Sequence, residues 1–151
     1  MAIRYIFLFF VSLLIMGCGR PSGKAEERRT WMLENERVKV LCTTGQVAYL
    51  VREVGGKDVH VYTLIPPLSD PHEYQLVKGD DELFSSADLL FFSGLGLECG
   101  SGFQRYMRDP KTFLVGDRIV SLKPDRALYS GKVVDPHLWM DVSLWAEGAS
   151  K

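Results

Sequence analysis

Leu89-Leu90-Phe91-Phe92 is apolar at every position, so a strand formed there has no face to give to water. Such a strand must be covered on both sides, which is the condition of a parallel sheet layered between helices. The neighbouring segments agree in period. Val38-Lys39-Val40-Leu41-Cys42 is rich in β-formers, Thr43 and Thr44 follow as potential helix caps, and Val47, Leu50, Val51 and Val54 recur at helical spacing until Gly55-Gly56. Residues 58–65 form a second strand candidate with Val59, Val61, Thr63 and Ile65 on one face, stopped by Pro66-Pro67. Asp80 is a candidate cap for a short helix that turns Leu83, Phe84 and Ala87 inward. Ser101 opens another with Phe103, Tyr106 and Met107 on one side, and 112–115 supply a fourth strand. The predicted class is α/β, a small parallel sheet flanked by helices. Residues 121–134, with Pro124, Gly131 and mixed charge, read as a loop.

The amino-terminal end reads as targeting rather than fold. Arg4 precedes an apolar stretch over 5–16 broken only by Ser12, too short to span a membrane and suited to a signal-peptide core. It ends Ile15-Met16-Gly17-Cys18, which resembles the lipobox of bacterial lipoproteins and makes Cys18 the expected lipidation site. The expected organisation is a signal peptide over 1–17, a polar lipidated tether over 18–35 and a folded lobe over 36–151. That places the lobe outside the cytoplasm, in the periplasm or at the cell surface. Lys and Arg number 18 against 19 Asp and Glu, with no basic run, so the chain lacks the electrostatic footprint of a nucleic-acid binder.

One tripeptide occurs twice, as Asp70-Pro71-His72 and Asp135-Pro136-His137. With 10 Asp and 7 Pro in 151 residues, a given His should follow Asp-Pro by chance about once in three hundred. Two of the 3 His do so. Proline fixes its own φ and pushes the preceding Asp toward an extended conformation, so the imidazole is presented on a stiffened backbone that loses little entropy on ligation. The Asp carboxylate is near enough to accept a ring N–H and leave the other nitrogen for a cation. Both tripeptides follow probable strand ends, and open α/β sheets place ligand sites at their carboxyl edge. His72 and His137 are therefore candidate metal ligands. His60, within a strand between Val59 and Val61, is expected to be a packed or exposed strand residue.

On these motifs the chain resembles the substrate-binding lipoproteins of zinc, manganese and iron ABC importers. The resemblance is carried by Leu64-Ile65-Pro66-Pro67 running into Asp70-Pro71-His72-Glu73-Tyr74, by Ala87-Asp88-Leu89 through Gly94-Leu95-Gly96-Leu97-Glu98, and by Asp135-Pro136-His137-Leu138-Trp139-Met140-Asp141, in that order. It implies a receptor of two similar α/β lobes joined by a long helix, with one divalent ion in the cleft and a membrane permease as partner. His72 and His137 match the two ligands of the first lobe. The ligands of the second lobe have no counterpart, so the expectation is a truncated, amino-terminal form with Zn, Mn or Fe as cargo. Some zinc-specific members carry a His-rich loop before the second motif, whereas 121–134 contain no His. That tilts the expectation toward manganese or iron.

Glu73, Glu98 and Asp141 are weaker candidates to supplement the two imidazoles, Asp141 being better explained as a helix cap. Tyr74 and Trp139, each two residues after a His, are candidate walls of the site. An enzyme is not expected: neither H-E-x-x-H nor G-x-S-x-G occurs. The competing readings are a lipid-anchored surface or adhesion module whose tripeptides are only rigid turns and, less favoured, a metal-dependent hydrolase, which metal-dependent turnover of an ester or phosphate would reveal. Cys42 is expected as a buried strand thiol. Cys99 lies in a loop where a bridge is sterically open but nothing calls for one.

Overall fold

The structure, a computed structural model, describes residues 23–149. The expected signal peptide and Cys18 lie outside the described residues. Among the described residues no helix is long and apolar enough to cross a membrane.

Four strands, β1 Val38–Cys42, β2 Val59–Thr63, β3 Leu89–Phe92 and β4 Thr112–Leu114, form one sheet in the order β2-β1-β3-β4. All of its pairings are parallel. The alternation along β1 shows why both faces are covered. Val40 and Cys42 are buried in one apolar cluster, with Val47, Val51 and Ile119, while Leu41 is buried in the other, with Phe84, Leu90 and Phe92. In β3, Leu90 and Phe92 enter the second of these clusters, and Leu89 and Phe91 pack against the first. The unbroken apolar run is thus a strand with core on each side, as its composition requires.

Helices supply both covers. α1 Gly23–Met32 lies against β2, α2 Gly45–Gly55 follows β1, α3 Asp80–Ser86 precedes β3, and α4 Phe103–Met107 precedes β4. The side chain of Thr44 accepts from Val47 N–H at the start of α2, and Gly56, at φ 53°, closes it. Both ends were legible in the sequence. α5 Val115–Leu122 follows β4 directly, then a two-stranded hairpin of β5 Tyr129–Ser130 and β6 Val133–Val134 and, after the second tripeptide, α6 Val142–Trp145.

Four sequence expectations fail. Over 23–32 the supposed tether is helix α1, and Trp31 is fully buried, its indole N–H donating to His60 O at 2.7 Å. One large aromatic anchors an otherwise polar helix, a pattern too sparse to register as a period. The folded part therefore begins before Glu36. Residues 121–134 are not merely loop, since they hold the hairpin. Asp80 is not a cap: Gly79 holds that place, at φ 99°, and the buried Asp80 carboxylate reaches backward to accept from Val77 N–H at 2.9 Å and Tyr74 O–H at 3.1 Å. Ser101 likewise does not open α4, whose preceding residue is Gly102.

Candidate metal centre

Both tripeptides fold into the same local turn. Asp70 Oδ1 accepts the His72 backbone N–H at 2.8 Å, and Asp135 Oδ1 accepts the His137 backbone N–H at 2.9 Å. Each is an Asx-type turn two residues long, stiffened by the intervening proline. The first is set by the sheet: Leu64 N–H and Ile65 N–H still bond to Cys42 O and Thr43 O, and Pro66-Pro67 then lift the chain over the carboxyl edge. The second hangs from the hairpin, where Asp135 N–H bonds to Leu128 O at 2.8 Å, and is fastened beyond by Leu138, Leu144 and Trp145 in the core.

Although 65 residues apart, the two rings meet. His72 Nε2 and His137 Nε2 are 3.4 Å apart, with ring centroids at 5.5 Å and planes inclined by 58°. They share an open cleft of about 1150 Å³ with Thr44, Pro66, Trp139 and Trp145. His137 Nδ1 lies 2.7 Å from Asp135 Oδ1. An ionised carboxylate can only accept, so Nδ1 carries a proton, and in the neutral ring that leaves the lone pair on Nε2. The His137 backbone N–H, then its ring, hold the Asp135 carboxyl below the usual range. Trp139 stands edge-on to His137 at 5.2 Å and packs in turn on Trp145, so it does wall the site.

Tyr74 does not. It packs against the opposite core cluster beside Phe103 and donates to Asp80; burial, with that carboxylate beside it, pushes its hydroxyl up to about 12. None of the supplementary carboxylates joins the imidazoles. Glu73 is exposed and does not line the cleft. Asp141 caps α6, accepting from Leu144 N–H at 3.0 Å; that bond, with Ser143 and Arg126, draws its carboxyl down to about 2. Glu98 is buried and accepts from Thr43 O–H, from Ser93 N–H at 2.8 Å and from Gly94 N–H at 3.1 Å. It ties the ends of β1 and β3 together, over a turn in which Gly94, Leu95 and Gly96 all have positive φ. The glycines serve that turn, as their spacing suggested. Among the described residues no group of three His, Cys, Asp or Glu could hold an ion.

The remaining candidates sit elsewhere. His60 lies on β2 with Nδ1 3.2 Å from Glu34 Oε2 and does not line the cleft. Cys42 is buried in β1, where burial pushes its thiol up to about 12, and Cys99 is exposed, its Sγ–H donating to Gly96 O. Both are free thiols.

The all-parallel sheet with helices on both faces, two imidazoles meeting at its carboxyl edge, defines the class as α/β. The family model described as zinc-uptake complex component A, periplasmic (ZnuA), matches residues 40–151, and the chain belongs to that family. Among solved structures it is similar to Fe(III)-bound YtgA from Chlamydia trachomatis, at 30% identity and TM-score 0.67, covering 73% of this chain and 39% of that one. It is also similar to the periplasmic zinc binding protein TroA from Treponema pallidum, at 34% identity and TM-score 0.63, covering 73% and 40%. The manganese-binding lipoprotein MntA of Bacillus subtilis is 33% identical over 141 residues, 91% of this chain and 43% of that protein. The chain thus spans about two fifths of the length of these relatives. The resemblance read from the tripeptides and the Gly-Leu-Gly-Leu-Glu segment is borne out.

Proposed function

We propose that the chain binds a divalent transition-metal ion, Mn, Zn or Fe, between His72 and His137, as the amino-terminal part of the extracytoplasmic receptor of an ABC metal importer. The observation that supports this most directly is the 3.4 Å separation of the two Nε2 atoms. A hydrogen bond to nitrogen is best at about 2.9–3.0 Å, whereas a tetrahedral ion with bonds of about 2.05 Å sets its donors about 3.3 Å apart. The bite suits an ion better than a proton.

In this reading the ion is cargo, delivered to a membrane permease, and the chain is a binding protein rather than an enzyme. Asp135 keeps His137 in the ligating tautomer, Trp139 limits access of water from one side, and the two Asx turns fix the backbones from which the rings project. The names of the relatives, which bind iron, zinc or manganese, favour the same cargo class. A signal peptide over 1–17 and lipidation at Cys18 would hold the domain at the outer face of a membrane. Imidazole suits zinc and iron, and carboxylates or water completing the shell extend the range to manganese.

Calorimetry with Zn²⁺, Mn²⁺ and Fe²⁺ on the purified chain tests the reading. His72→Ala and His137→Ala should each weaken binding by at least about 100-fold, more than loss of an outer-shell partner does. Binding unchanged in both variants would remove the chemical basis of the proposal, and the adhesion-module reading, in which the tripeptides are only turns, would take its place.

A further inference from the structure

We propose that the membrane anchor of this chain leaves the lobe at the rim of the cleft, so that this rim, rather than the opposite end of the sheet, is held nearest the bilayer. The inference rests on lipidation at Cys18, part of the reading above, and adds which end of the lobe lies by the lipid. The course of α1 carries it. Trp31, near the end of that helix, is fully buried and donates to His60 O, near the start of β2, at 2.7 Å. Glu27 and Lys24, about one and two turns earlier, line the cleft with Thr63 and Ile65 at the far end of the same strand, and with His72 and His137. α1 thus runs antiparallel to β2, and its first residue lies at the carboxyl edge of the sheet.

That course is fastened along its length. The Trp31 ring lies 5.7 Å from that of Tyr62, and Arg28 donates to Gly79 O and pairs with Glu82 at 3.5 Å. Cys18 stands five residues before Gly23. However those residues run, they span at most about 18 Å. Were 23–32 free chain, the anchor would stand twenty residues before β1 and reach up to about 70 Å, enough to set either end of the lobe at the membrane. Docking of α1 removes that freedom. Cargo released from the cleft is then released beside the bilayer, where a permease lies.

Energy transfer tests this on the lipidated full chain, reconstituted in vesicles of phosphatidylethanolamine and phosphatidylglycerol that carry a headgroup acceptor dye. Cys99→Ser removes the exposed thiol, and Gln46→Cys or Lys57→Cys then places a donor dye at one end of α2 or the other, Gln46 being at the cleft. The expected result is at least about twofold more transfer from 46 than from 57, since the helix between them is about 16 Å long. A flexible Gly-Ser insertion of about twenty residues between Cys18 and Gly23 adds a reach of about 25 Å and should bring the two values together. Equal transfer without the insertion, or more from 57, overturns the orientation while leaving the anchor intact. A difference that survives the insertion means that the lobe meets lipid by its own surface, and also overturns it. Mass spectrometry that finds no acyl group on Cys18 overturns the orientation and the anchor together. Metal binding at the histidine pair is read separately by calorimetry and stands or falls apart from all three.

Discussion

The two Asp-Pro-His turns share a sequence and a backbone hydrogen bond, yet they are supported in opposite ways. The first is continuous with the sheet: Ile65 is buried, its N–H bonds to Thr43 O, and Thr43 is held by the buried Glu98. Its ring, however, has no bond to its own Asp, which accepts only the backbone N–H. The second turn leaves a short exposed hairpin, but its ring is gripped by Asp135 and faced by Trp139, and its exit is fastened by Asp141 and Arg126. One histidine thus has a rigid base and a ring its own Asp does not hold, the other a looser base and a ring its Asp orients. Identical tripeptides fix only the local turn. What orients each imidazole comes from the surroundings, and the two surroundings lie on opposite faces of the sheet.

The largest effect expected from breaking this comparison is at Glu98. Replacing it by Ala leaves the Ser93 and Gly94 N–H groups and the Thr43 hydroxyl buried without acceptors, at a cost of about 3 kcal/mol. The loss should appear in urea unfolding and fall on the first turn, whose base hangs from Thr43. Amide exchange should rise over 64–72 before it rises over 135–140. Equal rises in both segments would show that the first turn does not depend on the sheet edge as described.

Next in size is the paired substitution of the two aspartates. Asn keeps an oxygen to accept the turn N–H but removes the charge, so it leaves the turn and tests the charge behind the ring contact. Asp135→Asn should weaken metal binding by about 10–100-fold, the usual range for an outer-shell partner of a ligating histidine. Asp70→Asn, which has no ring to release, should change it by less than about 3-fold, well below that range. Calorimetry on the two variants side by side measures the asymmetry, and an equal loss in both would refute it.

The strands were legible because burial on both faces leaves a composition that few other structures tolerate, as in 89–92, and α2 because its caps and spacing agree. The site was legible because a rare tripeptide recurred. The remainder was hidden for physical reasons. α1 exposes charge nearly all round and is anchored by Trp31 alone, so its stability is tertiary and leaves no period. α5 has Val115 and Ile119 inward, with Gly116 pressed so close to Ser93 O that a Cβ would come within 2.7 Å. Two apolar residues four apart do not outweigh a preceding strand signal. In the sequence Glu98 is only a weak candidate to supplement the imidazoles, because nothing in its neighbours shows which way its carboxylate faces. That it turns inward depends on the positive-φ turn over 94–96, which folds the chain back on the strand end.

The smallest effect concerns acid. Asp135 and Asp141 are both held below the usual carboxylate range, Asp141 at about 2, by bonds made only in the folded chain. A depressed folded pKa contributes stability that is complete above the unfolded value of about 4 and is lost as pH falls toward the folded value. Both groups are exposed, so screening keeps the contribution to global stability small. Its signature is local. Between pH about 4 and 2, backbone NMR shifts over 135–144 should move while those of Leu64 and Ile65 stay put, because the Asp141 cap and the Asp135 ring contact dissolve with protonation and the backbone bonds that anchor the first turn to the sheet do not. In Asp141→Asn the change over 142–144 should disappear and the change at 135–137 persist. Movement of the first turn ahead of the second would mean that the oriented ring, not the rigid base, carries the sturdier support.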